Sequence, residues 1–283
     1  MPRRRRTAAW GAAGVLPVAL GIAASTFGAT AGVGGGGGGG GSAAGTGAPG
    51  VEVGAATSFI AATDAIPRLG LSSPAVEVEQ SWEKPVPNKS RLGDCGWYGS
   101  EGADKETNRR KNRTDLPPTY HAITFDALAG LEWPREAKTR RDKWTKAQLD
   151  EIRPYEGIAV TVTGFVVAVR PQKNNQESTN CNSTGEANTD WHVALVGEFG
   201  DKEPTAVVVE PTPRIKRRHP NWDPDSLKPV VGKPDSVRVS GYLLLDPVHK
   251  NHLGKYRQTL WEVHPIHRIE LFQNGRWRDL DGD

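Results

Sequence analysis

Asp190-Trp191-His192 and Glu262-Val263-His264 each set a carboxylate two residues before an imidazole. In an extended chain residues i and i+2 emerge on one face, so each pair would present its acid and its base side by side. His192, Glu262 and His264, joined by Asp190 or His249, would supply the nitrogen and oxygen donors that hold zinc or another divalent ion. Three such ligands plus a water make a hydrolytic centre, and a metal-dependent hydrolase or nuclease is the chemistry these residues allow. The alternative is that the histidines hydrogen-bond locally on a half-buried sheet face and need no cofactor. A nucleophilic serine finds no support, because no Gly-x-Ser-x-Gly turn occurs.

The second chemistry is charge. Between 211 and 257 there are ten Lys+Arg against four Asp, a local charge of +6. Arg214, Arg217, Arg218, Lys250, Lys255, Tyr256 and Arg257 are the candidate ligand contacts there. Arginine forks and lysine ammoniums of this kind hold phosphates and polyanions. Aromatic partners for stacking a single nucleic-acid strand are limited to Tyr242 and Tyr256. The competing reading of the patch is a solvated basic face with no partner.

Five apolar runs could carry these residues: 156–170 (EGIAVTVTGFVVAVR), 190–196 (DWHVALV), 205–210 (TAVVVE), 235–245 (DSVRVSGYLLL) and 260–272 (LWEVHPIHRIELF). Each reads as a strand. The first is apolar on both parities and interrupted by Gly164, so its halves must serve different layers with a bend between them. Counting alternately along the last, His267 falls on the apolar side unless Pro265, which cannot donate to a ladder, marks a bulge that resets the register. A long bent strand, two more, a long proline-bounded connection and a final pair is the order of an OB-type Greek-key barrel. The expected fold is therefore mainly β, a small five-stranded barrel over 156–275, with another small barrel or sandwich as the alternative. In such a barrel the connections 171–189 and 246–259 flank the ligand groove.

Upstream, 91–155 reads as an N-terminal arm packed on the barrel, with Trp97, Phe125, Trp133 and Trp144 as contacts. It contains one short helix: Thr145-Lys146-Ala147-Gln148 fits a capping box, and Arg153-Pro154 ends the run. The charge run 104–115 reads as a solvated face, and 276–283 as a C-terminal tail.

The first ninety residues look like a leader and a spacer. Four arginines precede the apolar run 8–24, and Ala29-Thr30-Ala31 fits a cleavage site, so 1–31 reads as a secretory signal peptide. If uncleaved, the same segment would serve as a membrane anchor; once it is removed, no stable membrane insertion is expected. The glycine-, alanine- and proline-rich 32–90 reads as a disordered tether. Removing the four arginines of 1–31 from the 36 Lys+Arg leaves 32 against 33 Asp+Glu, a net of −1 in place of +3. A general attraction to nucleic acid or anionic membrane thus has no basis in net charge. Secretion or surface display would oxidise the two cysteines, Cys95 and Cys181, to a disulfide.

With Asn180-Cys181-Asn182, Asp190-Trp191-His192, Glu210-Pro211-Thr212-Pro213-Arg214 and Leu260-Trp261-Glu262-Val263-His264-Pro265, the chain resembles a family of exported bacterial proteins marked by a C-terminal WE[IV]HP strand. The likeness spans roughly 92–272. It implies that arm and barrel form one OB-like unit and carries no established activity. From sequence, the favoured function is a binding module for an anionic or polymeric ligand without a cofactor. The metal-dependent hydrolase, with zinc or another divalent ion, and a purely structural surface protein are the alternatives.

Overall fold

The computed structural model describes residues 58–63, 92–101, 104–172 and 177–282. Residues 1–31, expected to be a signal peptide, and most of 32–90, expected to be a tether, lie outside the described residues. In chain order the elements are β1 (Ser58–Thr63), α1 (Lys105–Lys111), β2 (Thr119–Ile123), α2 (Phe125–Ala129), α3 (Lys146–Ile152), β3 (Ala159–Pro171), β4 (Trp191–Val196), β5 (Val207–Val209), α4 (Pro213–Lys216), β6 (Val237–Leu245), β7 (Trp261–Gln273) and β8 (Arg276–Asp279), joined by short 3-10 turns.

Five strands close a barrel in the order β3-β4-β5-β7-β6, with β6 pairing back onto β3. The pairs are antiparallel except β5–β7, which is parallel. Closure depends on the bend in β3: residues 159–164 pair with β6, and residues 165–171 pair with β4. Gly164 sits at the switch, where a Cβ would lie 2.5 Å from the Val196 carbonyl oxygen, so only glycine lets the strands approach. The side chains of β3 serve two layers, and the alternation between them changes at the register shift between Val166 and Ala168. Val160, Val162 and Val166 enter the main core with Leu195, Val207, Val239 and Trp261, while Phe165, Val167 and Ala168 pack with Ala194, Val196 and Ala206. The proline-bounded connection after β5 closes the core with Ile215, Trp222, Leu227 and Val230.

α3 starts as expected. The Thr145 hydroxyl accepts from the Gln148 amide and the Gln148 side chain accepts from the Thr145 amide, and the helix ends at Ile152 with Arg153 as its C-cap, still helical in its dihedrals, before Pro154, which has no amide hydrogen to extend the ladder. Within the arm, Trp133 and Trp144 join the core and Phe125 packs against it. Trp97 does not, and instead faces the Arg214 guanidinium.

Three expectations are corrected. The run 104–115 is not a solvated face. It forms α1, capped by Asp104, and buries Thr107, Asn108 and Lys111 with the adjoining Asn112, a polar stripe whose partners are other polar groups and which therefore leaves no apolar signature. Residues 58–63 of the tether form β1, parallel to β2, which itself pairs parallel to the first half of β3. Residues 276–279 are no tail: Asn274 and Gly275, both at positive φ, turn the chain so that β8 pairs with β7, the Asn-Gly hairpin signal. Among the described residues no helix is long and apolar enough to cross a membrane.

Candidate functional site

The core side of β4, β5 and β7 is taken by Val193, Leu195, Val207, Val209 and Val263, so by alternation Asp190, His192, Glu210, Glu262 and His264 project from the opposite, outer face. The antiparallel pairing Val193↔Val209 carries one step on to set His192 beside Glu210, and the parallel pairing Val209↔Val263 sets Glu210 beside His264. One rung across three strands thus reads His192, Glu210, His264. On it, Glu210 Oε1 lies 3.2 Å from His192 Nε2, and Glu210 Oε2 lies 2.9 Å from His264 Nδ1. His264 Nδ1 is also 3.1 Å from Glu262 Oε1, and its Nε2 is 3.8 Å from Asp190 Oδ2. At Pro265 the register of β6 against β7 shifts twice, which is the bulge the sequence allows, and His267 turns away to Tyr120 and Tyr242.

The arm and the two long connections cover this face. Lys111 from α1 reaches Asp246 at 2.6 Å and Glu262 at 3.6 Å. Arg257 binds Glu262 at 3.1 Å, and the Asn180 amide donates to Asp190 Oδ1 at 3.1 Å. The Cys95–Cys181 disulfide, together with Asn112 bonds to the Trp97 and Thr179 carbonyls, pins the 171–189 connection to the arm. Five carboxylates (Glu177, Asp190, Glu210, Asp246, Glu262) are thereby packed against Lys111, Arg257, His192 and His264, all of them buried except the partly exposed Glu177 and His192.

Burial and charge act in opposition. For His264, burial favours the neutral ring, but Glu210 and Glu262 outweigh it and push the imidazole up to about 10. For His192 burial again opposes the charge, and Glu210 with Glu177 raises it to about 9. Glu210 would be raised by burial, yet His192, His264 and Lys111 hold it well below the usual carboxylate range. Asp190 goes the other way: burial, reinforced by Glu177, lifts it to about 7. Lys216, buried over the Trp191 ring with its ammonium donating to the Glu186 and Thr189 carbonyls, is pushed down by burial to about 8. Perturbed groups cluster in this way at functional sites, and buried ion-pair networks produce the same pattern.

Beside the cluster, and sharing His192 and Arg257 with it, a cleft of about 210 Å³ opens between the two long connections, lined by Arg170, Gln172, His192, Ala194, Val208, His252, Tyr256 and Arg257. His192 is held by Gln172 through Nδ1 at 2.7 Å. The His249 ring meets His192 edge-on at 5.8 Å and stacks on His252 at 4.9 Å, and Arg170 lies over the Tyr256 ring at 5.7 Å.

Of the residues named from sequence, Asp190, His192, Glu262 and His264 do converge, and His249 sits at the edge on Asp246. The basic set does not form one patch. Arg214 donates to Asn112 and to the Cys95 and Gly96 carbonyls, anchoring the arm. Lys250 is bound to the Arg135 and Ala137 carbonyls. Arg257, 1 % exposed, is neutralised by Glu262 and cannot offer a free charge at the surface. Arg218 donates to the Thr114 carbonyl while still exposed, and Arg217, Lys255 and Tyr256 are exposed. Sequence reasoning missed Glu210, Lys111, Glu177 and Asp246. Glu210 closes the TAVVVE run, and its position at a strand end next to the Asp190–His192 strand was the available signal.

Fold and site together define a small closed β-barrel bearing a buried cluster of acids and histidines beside an open cleft. No family model, curated protein or solved structure matches the chain, so the function is argued from this geometry.

Proposed function

We propose that the chain is a binding module of OB type that works outside the cell, secreted or held at the surface, and takes an anionic or phosphate-bearing group in the cleft between 171–189 and 246–259. The strand order, with a bent first strand shared by both ends of the barrel, supports the OB reading, and the outer face of the second and third strands is where such barrels bind polymers. The observation that carries the proposal is the cleft itself. Its floor holds His192, its wall holds Tyr256 and Arg170, whose half-exposed guanidinium also pairs with Glu203 at 2.5 Å, and it lies between connections already tied down by a disulfide and by Lys111, so little ordering entropy opposes binding. A volume of about 210 Å³ admits one phosphate with part of a sugar or base, and the Tyr256 face offers a stacking surface.

Titration of the full chain with heparin fragments, an oligothymidylate and inorganic pyrophosphate tests this. Binding to at least one, weakening as salt rises and reduced at least tenfold in Arg170→Ala and Tyr256→Ala, is expected. Failure of all three probes at low salt, or binding indifferent to both substitutions, would overturn it.

A further inference from the structure

We propose that Asp190, Glu210 and His264 form a binding site for one divalent first-row transition ion, of the manganese-to-zinc class, on the outer face of β4, β5 and β7. One ligand atom from each lies within 4.8 Å of the others, and all three residues are buried. The 3.8 Å between His264 Nε2 and Asp190 Oδ2 is a separation two donors adopt when each is about 2.0–2.2 Å from a shared ion.

The second observation is what these atoms lack. Asp190 Oδ2, His264 Nε2 and both Glu210 carboxylate oxygens have no aligned hydrogen bond, although each is shut away from solvent. The Glu210 oxygens have the two imidazole nitrogens at 2.9 and 3.2 Å and the Arg257 guanidinium at 3.9 Å as ionic neighbours. Buried polar atoms without partners are rare and costly, and here they are gathered at one point.

The third observation is how each ligand is held. Asp190 is fixed by Asn180 through Oδ1, which leaves Oδ2 turned inward. His264 Nδ1 lies 3.1 Å from Glu262 Oε1 and 2.9 Å from Glu210 Oε2, and with the proton on Nδ1 it is Nε2, 3.8 Å from Asp190 Oδ2, that is left for an ion. A carboxylate behind a metal-bound imidazole is the usual orienting contact, and Glu262 is itself gripped by Arg257. Glu262, expected from sequence to be a ligand, is thus a positioning residue, and Glu210 takes the ligand role. Two carboxylates and one imidazole suit ions between manganese and zinc; calcium would want six or more oxygens. The ion would take the place of the proton on His264 Nε2, and the Nδ1 proton would stay on the Glu262 side. His192, 3.2 Å from Glu210, touches both this site and the cleft. The inference does not depend on the anion reading of that cleft.

The test uses the full chain, stripped with chelator and titrated with zinc and manganese chloride by calorimetry, with bound metal counted by mass spectrometry. Expected is one ion per chain, affinity at least 100-fold weaker in Asp190→Asn and Glu210→Gln, about 10- to 100-fold weaker in Glu262→Gln, and unchanged in His219→Ala, whose ring pairs with Asp281. Because charge changes here could unfold the protein, a readout on the unaltered chain accompanies them: zinc should shift the ring-nitrogen resonances of His264 and leave those of His219 in place. Uptake below a tenth of an equivalent, or stoichiometric binding that leaves the His264 ring unshifted or persists in Asp190→Asn, would overturn the proposal.

Discussion

Replacing Cys95 and Cys181 with alanine removes the covalent tie between the arm and the connection that follows β3. The two cysteines are 86 residues apart, and opening a loop of that size frees the unfolded chain by about 4.6 kcal/mol in the chain-entropy treatment. The folded state should change little, because the same two segments stay joined by the Ser100 amide on the Ser178 carbonyl at 2.8 Å, by Asn112 on the Thr179 carbonyl at 3.0 Å and by the Thr179 hydroxyl on Asn108 Oδ1 at 2.9 Å. The loss therefore falls on the unfolded side. At about 2–4 °C per kcal/mol for a folded unit of this size, the melting temperature should drop by roughly 9–18 °C. Calorimetric melts of the oxidised protein and the double alanine variant measure this, with near-ultraviolet circular dichroism recording the folded state. A drop below about 3 °C, or a native spectrum already lost at 20 °C, would refute the reasoning, the first because the cross-link would not restrict the unfolded chain and the second because the non-covalent ties would not suffice.

Other consequences follow from single contacts. Burial against Tyr120 and Tyr242, assisted by Arg113, holds the His267 imidazole down to about 3, with Asp115 opposing and Arg218 and His219 adding to the effect. Because the unfolded ring titrates near 6.5, this stability is fully present above that pH and is lost as pH falls from about 6.5 towards about 3. Urea titrations at pH 7 and 4.5 should show the native protein losing about 2.5 kcal/mol more than His267→Gln. Arg141 forks onto the buried Glu156 and the Leu245 carbonyl, so Arg141→Met should cost about 3–5 kcal/mol, and adding Glu156→Leu should restore much of it in a double-mutant cycle. A Cβ at Gly241 would lie 2.3 Å from the Pro265 carbonyl oxygen and 2.7 Å from Ile266 Cα, both backbone atoms that cannot swing aside. Gly241→Ala should cost about 3 kcal/mol, whereas Gly93→Ala, with nothing within 4 Å, should stay within about 0.5 kcal/mol in the same denaturation assay.

The legible parts of the fold share one property: their signal is local. Gly164 in a doubly apolar run announced a bend, Thr145 with Gln148 announced a helix start, and five apolar runs with one long gap announced the barrel. Asn274-Gly275 carried an equally local signal for β8 that went unused. α1 and β1 were hidden for a different reason. α1 buries Thr107, Asn108 and Lys111 against polar partners, and the 58–63 segment pairs as an edge strand through backbone bonds that composition does not encode.

The site divides the same way. The alternation in 190–192 and 262–264 was enough to put each acid on the same face as its histidine, because the two-residue period of a strand is set by backbone geometry alone. The roles within the cluster were not available there. That Glu210 stands between His192 and His264, that Glu262 backs His264, and that Lys111 comes from a distant helix all depend on which strands are neighbours and in what register. Register is fixed by closing the barrel around its valine core and by the bulge at Pro265, a balance of contacts between residues far apart in the chain. The sequence alone determined which side chains share a strand face and that two cysteines await oxidation. The tertiary structure decided which faces meet, which charges are shut away from water, and therefore that Arg257 and Arg214 serve as internal braces.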